Sequence, residues 1–464
     1  MNNKGILIII FIVTLVSYFL ELSFNYWIVF SFVFLFYSII NITYRFKYTL
    51  PFGELLAIIY LIENVISVLL IFLIQGHKIN DIERYYIQVP LDKYIPFALL
   101  SSECFLLCYS LVEKPVKIWI NYIKNVNLFV ARQTMIYVFI LSLVISIFRI
   151  SELNYVVFVI SNLGSCALVG LYLSYEGNKG IFFMILCLFL SILSSIASGM
   201  FTGFTLLVIL IGFVYFTKKS IVNAKINWLF FMILMVIGIL FFSFLQNLKA
   251  DYRQAAWGDE NVIKEDNTSA FYSKIDKNIA HIDLTNKDFF MPILQRTNQA
   301  WLVSCTMEKV PIKEPFANGK TIVDAIVDAV LPRLINQEKQ TSGTSIILKY
   351  TNLKLEGGTS MGIGYFGESY VNFGVFGGIL FMGLVAALFA LLEKKILLLS
   401  AKNPLLLTFF PFYLMMFLSS GRNFFWITNN LTMGTLVIYF VMKLFANKNK
   451  LLVKSLNLKK MNVV

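Results

Sequence analysis

Residues 369–392 read SYVNFGVFGGILFMGLVAALFALL, a run without one charged side chain. At about 1.5 Å per helical residue, so long a run outreaches the roughly 30 Å of hydrocarbon in a bilayer. Backbone amides cross lipid only where a helix or a closed barrel satisfies them. The stretch therefore predicts a membrane-spanning helix. Working outward from it, apolar segments near 5–21, 26–42, 54–74, 96–112, 134–150, 155–173, 181–198, 200–216, 228–247, 404–420 and 428–446 bring the expected total to twelve spans. The pair at 181–198 and 200–216 carries Ser194, Ser195, Ser198, Gly199 and Gly203, which equally suit a kinked or re-entrant hairpin.

Composition agrees. Of 464 residues, 58% are hydrophobic and only 14% charged, against about 25% charged in soluble domains. That excludes a cytosolic enzyme, a disordered regulator and a secreted disulfide scaffold. Cys104, Cys108, Cys166 and Cys187 fall in apolar stretches and Cys305 stands in a polar one, so neither a disulfide framework nor metal-ligand spacing is visible. The first apolar run, from Lys4 to Leu20, ends without a small-x-small cleavage site and reads as an uncleaved span. The fold class expected is an all-α polytopic integral membrane protein.

Charge sets the orientation. One set of connections holds Arg45 and Lys47; Lys114, Lys117, Lys124 and Arg132; Lys179; Lys218, Lys219 and Lys225; Lys394, Lys395 and Lys402; and the tail lysines from Lys448. The short connections opposite, 22–25, 151–154 and 421–427, hold one basic residue, Arg422. By the positive-inside rule the first set is cytoplasmic and both termini are inside. The expected organisation is nine transmembrane helices in 1–247, a large periplasmic loop in 248–360, helices ten to twelve in 361–446, and a basic cytoplasmic tail in 447–464. The loop holds 14 Lys and Arg and 14 Asp and Glu, so the net charge of +13 lies wholly outside it. Such an excess is a topology signal and implies no nucleic-acid partner.

Within the loop, Asp288 to Ser304 and Thr321 to Asn336 show helical periodicity. In the second, Ile322, Ile326, Val330, Val323, Val327 and Leu334 form one stripe and Asp324 and Asp328 lie on the other, which predicts amphipathic helices lying over the membrane-embedded bundle. Residues 258–288 are polar and read as loop.

Ionisable groups in or beside a bilayer are costly unless paired or wetted. Glu63 and Glu103 sit within spans, Arg149 and Glu152 close one, and Glu368 opens another; interhelical pairing is their ordinary role. Arg253, Arg296 and Arg333 stand in sparsely charged loop contexts of a lysine-rich chain. A guanidinium fork matches a phosphate bidentately where an ammonium cannot. Together with Arg422 they define a candidate pyrophosphate-binding set. Residues 357–374, GGTSMGIGYFGESYVNFG, place Gly362 and Gly364 before a span; a glycine-rich approach to a helix N-terminus favours an anion. Close packing of small residues is the alternative use of the same glycines. The two histidines, His77 and His281, both fall in predicted outer loops. His281, with Glu368 as its rival, is the candidate base toward a sugar hydroxyl. No Walker, HExxH or GxSxG pattern occurs, no metal site is expected, and no cofactor is required.

A single large outer loop late in an all-helical polytope, the sequence LPRLIN at 331–336 and GYFGESYVNFGVFGG at 364–378 resemble the Wzy-type oligosaccharide repeat-unit polymerases of bacterial surface polysaccharides such as O-antigen. The likeness spans the whole topology and, at the level of motifs, residues 290–374. It implies a glycosyltransferase of the bacterial inner (cytoplasmic) membrane that joins undecaprenyl-pyrophosphate-linked oligosaccharides on the periplasmic face. Its further partners would be a flippase and a chain-length regulator. Outer-loop arginines used by the family would fall on Arg296, Arg333 and Arg422. The arginine-X10-glycine spacing of some members is not met: Gly343 lies ten positions after Arg333, and Gly434 twelve after Arg422. An O-antigen ligase would share this topology and chemistry, and a lipid-linked oligosaccharide flippase would share the span count. The chain shows no half-to-half repeat of the kind common among transporters.

Overall fold

The computed structural model describes residues 3–46, 49–75, 86–122, 132–147, 154–175, 177–198, 202–223, 238, 240–244, 246, 289–331, 343–353, 361–401, 403 and 405–455. Helices account for nearly all of them, and no strand occurs among the described residues. In chain order they are α1 (Asn3–Phe19), α2 (Phe24–Arg45), α3 (Phe52–Leu61), a π turn (Ile62–Ile66), α4 (Ser67–Gln75), α5 (Leu91–Leu111), α6 (Arg132–Ile147), α7 (Asn154–Ser174), α8 (Gly177–Ser198) and α9 (Thr202–Asn223). The long polar segment contributes α10 (Met291–Thr297), α11 (Ala300–Lys309), α12 (Lys320–Val330) and α13 (Thr344–Tyr350). The chain then returns through α14 (Gly364–Ser400), α15 (Leu405–Phe417) and α16 (Phe424–Ser455).

Among the described residues, seven helical runs are long and apolar enough to cross a membrane: Phe24–Arg45, Phe52–Ile74, Leu91–Leu111, Val157–Ser174, Gly177–Ser195, Gly364–Ser400 and Phe424–Leu444. Lys4–Phe19, Arg132–Ile145 and Leu405–Phe417 are apolar but shorter. The protein is thus a helical, multi-pass membrane protein. The expected run at 228–247 lies mostly outside the described residues. The pair that equally suits a re-entrant hairpin forms two uninterrupted helices, α8 and α9.

The basic connections close helix ends. The last carbonyls of any helix lack intrahelical partners, and cations suit that end of the dipole. At the end of α7, Arg132 Nη2 donates to Ser174 O at 2.7 Å. Lys218 Nζ reaches Tyr172 O at 2.9 Å and Tyr175 O at 3.1 Å. Two buried carboxylates pair with further basic residues, Arg45 and Lys114. Glu54 pairs with Arg45 and accepts from Asn41 Nδ2. Glu393 of α14 accepts from Tyr109 and Trp119 and pairs with Lys114 at 3.0 Å, whose ammonium lies 3.3 Å from the centroid of the Tyr109 ring. A buried charge is tolerable only when paired and hydrogen-bonded, so these contacts clamp α2 to α3 and α5 to α14.

The two helices expected in the polar segment differ from expectation in informative ways. The first is two helices, α10 and α11, because the backbone extends at Asn298 (φ −74°, ψ 94°). The second ends at Val330, since Leu331 precedes Pro332 and the α conformation is disfavoured before proline. Its orientation is also reversed. Thr321, Ala325, Asp328 and Ala329 are buried, with Thr321 bonded to Asn372 of α14 and Ala325 to Thr428 of α16, while Val323, Ile326, Val327 and Val330 are exposed. Of the expected stripe, Val323, Ile326, Val327 and Val330 do not lie over the bundle, Ile322 is half-buried against it, and Leu334 falls outside the described residues. α14 breaks at Gly374, whose φ of 68° and ψ of −160° suit only glycine. The break releases the Val371 carbonyl, which accepts from Ala317 N–H at 2.9 Å and so ties the chain before α12 to the kink.

Candidate functional site

The site is built around Glu63. Its span is continuous except at Ile62–Ile66, where Ser67 N–H bonds Ile62 O five residues back and the ladder takes a π turn. Such bulges redirect backbone groups and recur at functional positions. Here the Glu63 carbonyl accepts from Gln299 N–H at 2.9 Å, at the break between α10 and α11. Ser67 and Thr297 hydroxyls meet at 2.8 Å alongside. The Glu63 side chain turns to the α15–α16 connection, where Oε2 accepts from Ser420 N–H at 2.7 Å. Its neighbour Asn64 donates to Ser420 Oγ at 2.9 Å. Three segments far apart in sequence therefore converge on one π turn.

The connection 418–423 is held from every side. Three of the last carbonyls of α15 are taken by side chains: Met415 O by Arg422 Nη1 at 2.8 Å, Met416 O by Tyr365 OH at 2.8 Å, and Phe417 O by Tyr60 OH at 2.7 Å. Gly364 makes the approach of α14 possible. Its φ is +73°, its neighbour Tyr365 donates N–H to Ser420 O at 3.0 Å, and a Cβ there would stand 2.1 Å from that same oxygen. Asn423 is buried beside Gly343 and Gly362, at each of which a Cβ would press on its amide.

The electrostatics follow from two arginines and one carboxylate. The Arg422 guanidinium stacks 3.7 Å from the centroid of the Trp426 ring. Both Arg422 and Arg296 act on the Glu63 carboxylate through space. Burial pushes Arg422 down to about 10, opposed by Tyr365, Glu63 and Tyr60, so it stays charged at neutral pH. Arg296, at the end of α10, is exposed. Around the same connection, Asn64 Oδ1, Asn423 Nδ2 and Glu368 Oε2 are buried without a partner among the described residues. Buried polar atoms are ordinarily paired, so these three atoms depart from the usual pattern. No group of three or more potential metal ligands occurs among the described residues.

Of the residues singled out in the sequence, Arg296, Arg422, Gly362, Gly364 and Glu368 all lie around this turn. Glu368 is fully buried, and its Oε1 accepts from Phe424 N–H at 3.2 Å. That caps α16 at its N-terminus, where a carboxylate is favoured. Glu103 lies elsewhere, buried in α5, and accepts from Thr14 Oγ1 at 3.1 Å. Arg253, Arg333, His281, His77, Arg149 and Glu152 fall outside the described residues. Sequence reasoning passed over Asn64, Tyr60, Tyr365, Ser420 and Asn423. A signal for the first was present, since Glu63–Asn64 is a polar pair inside an otherwise apolar run. Comparison with family models, with curated proteins and with solved structures finds no match to this chain.

Proposed function

We propose that the protein is a membrane glycosyltransferase that joins polyprenyl-pyrophosphate-linked oligosaccharide repeat units into a surface polysaccharide, as the likeness to Wzy-type polymerases implies. The observation that supports it is the convergence of Arg296, Arg422 and Glu63 beside unpaired buried polar atoms. In this reading the acceptor hydroxyl oxygen bonds to the anomeric carbon of the donor while the bond from that carbon to the pyrophosphate oxygen breaks. Arg296 and Arg422 stabilise the negative charge on the departing lipid pyrophosphate, the kind of preorganised charge stabilisation that dominates many enzymatic rates. Glu63 receives the hydroxyl proton. Glu368, engaged with α16, serves as support. The site faces the periplasm and the termini the cytoplasm.

The test uses the purified protein in detergent with a synthetic lipid-pyrophosphate repeat unit. Wild type should yield a ladder of products, and Arg296→Ala and Arg422→Ala should each lose it while remaining folded. Normal ladders from both variants would refute the assignment. Transfer to a lipid A core acceptor in place of chain growth would identify a ligase. The π turn around a carboxylate inside a span also suits an ion-coupled carrier, since transporters place their sites at interrupted helices. Vesicle uptake without chemistry in detergent would establish that second reading.

A further inference from the structure

α12 is built inside out for a helix bathed in water. Along its eleven residues four of the five large apolar side chains point away from the protein, with Val323 58% exposed, Ile326 49%, Val327 40% and Val330 65%, while Ile322 is half-buried against the core. Thr321, Ala325, Asp328 and Ala329 point inward: Thr321 accepts from Asn372 Nδ2 at 2.7 Å, and the Ala325 carbonyl accepts from Thr428 Oγ1 at 3.0 Å. Asp328 is 5% exposed. Both partner helices, α14 and α16, belong to candidate spans. The outward face continues onto theirs: Gly319, just before α12, abuts Phe373, and Phe373, Phe376 and Leu380 of α14 are themselves exposed apolar residues. In water this arrangement would be the wrong way round, since an amphipathic helix buries its apolar stripe. In lipid it is the expected one, because small residues mediate helix packing and large apolar ones meet acyl chains.

We propose that α12, although it belongs to the long polar segment 248–360, is immersed in one leaflet of the bilayer with Val323, Ile326, Val327 and Val330 against lipid acyl chains. Its length suits this. Eleven residues make roughly 16 Å of helix, about half of the ~30 Å hydrocarbon thickness. Lys320 at its start is exposed and carries a long apolar stem that reaches a headgroup layer. Through Thr428 the helix is bonded to the second turn of α16, which begins just after Arg422, so a lipid-borne substrate would meet α12 at the rim of the site. The proposal itself does not depend on the enzymatic reading.

The experiment uses the wild-type protein in phosphatidylcholine–phosphatidylglycerol vesicles, with a photoactivated diazirine confined to the acyl region and mass spectrometry to locate the adducts. Val323, Ile326, Val327 and Val330 should be labelled within about threefold of Leu380 and Leu384 on α14, and at least tenfold above Thr321 and Ala325. A second measurement attaches a spin label to the Ile326→Cys variant in the same vesicles, with oxygen and a water-soluble nickel chelate as relaxants; oxygen should dominate. Dominance of the nickel chelate with absent diazirine labelling would overturn the proposal in favour of a water-exposed face. Protection from both reagents would overturn it in favour of a cover, a second copy if Ile326→Cys cross-links between chains and another segment of this chain if it does not.

Discussion

Replacing Arg422 by Met tests the central geometry of the site. The side chain does three things at once: it donates to Met415 O at the end of α15, stacks on Trp426, and faces the Glu63 carboxylate. A hydrogen bond from a charged donor contributes about 1.5–3 kcal/mol, and a cation over an indole about 0.5–2 kcal/mol. Because the two share one group they do not add fully. The expected loss is therefore about 2–4 kcal/mol, measured by sodium dodecyl sulfate titration of the purified protein in mixed micelles. Trp426→Leu alone should cost less, and the cycle of the two single variants and the double variant should return a coupling of about 0.5–2 kcal/mol. A coupling indistinguishable from zero, together with a loss below about 1 kcal/mol for Arg422→Met, would refute the reasoning. Arg422→Lys separates structure from chemistry. An ammonium still serves the helix end, so stability should largely return, while the bidentate fork for a pyrophosphate is lost and product formation should stay low.

Other outcomes follow from the same geometry. Glu63→Gln keeps an oxygen for Ser420 N–H but cannot take a proton, so the folded protein should be obtained in normal yield with turnover reduced by roughly 10²-fold or more in the detergent assay. Glu393→Gln leaves the Lys114 ammonium buried without its carboxylate and should cost about 3–5 kcal/mol in the same denaturation assay; adding Lys114→Met to Glu393→Gln, which keeps an amide oxygen as acceptor beside Tyr109 and Trp119, should recover most of it. Gly364→Ala meets the Ser420 carbonyl in a left-handed conformation that alone costs about 1–2 kcal/mol, whereas Gly5→Ala, with nothing within 4 Å, should be neutral. Burial pushes the Cys305 thiol up to about 12, helped by Glu308. Iodoacetamide at pH 8 should therefore leave Cys305 unmodified in the folded protein and alkylate it after denaturation, read by mass spectrometry, because the thiolate is the reactive form.

Much of the architecture was legible in the residue order because lipid imposes a one-dimensional rule. A helix that crosses a bilayer must be apolar for most of its length, and the runs at 26–42, 54–74, 96–112 and 369–392 each answer to a long helix. The arginines of interest were also legible, since so few stand outside the basic connections. Their meeting point was not. Glu63 looked like one in-span carboxylate among several, and nothing in its neighbours distinguishes a π turn from an α turn. What accompanies the π turn is a backbone contact from far along the chain, Gln299 N–H to the Glu63 carbonyl. Glu368, read as a candidate base, is bound to Phe424 N–H for the same kind of reason. The sharpest case is α12. Periodicity groups Val323, Ile326, Val327 and Val330 on one stripe, but a helix covering a core in water and a helix facing lipid carry the same repeat with opposite sides inward. Hydrophobic patterning records which faces differ. Only the packed tertiary structure decides which of them the solvent, water or hydrocarbon, receives.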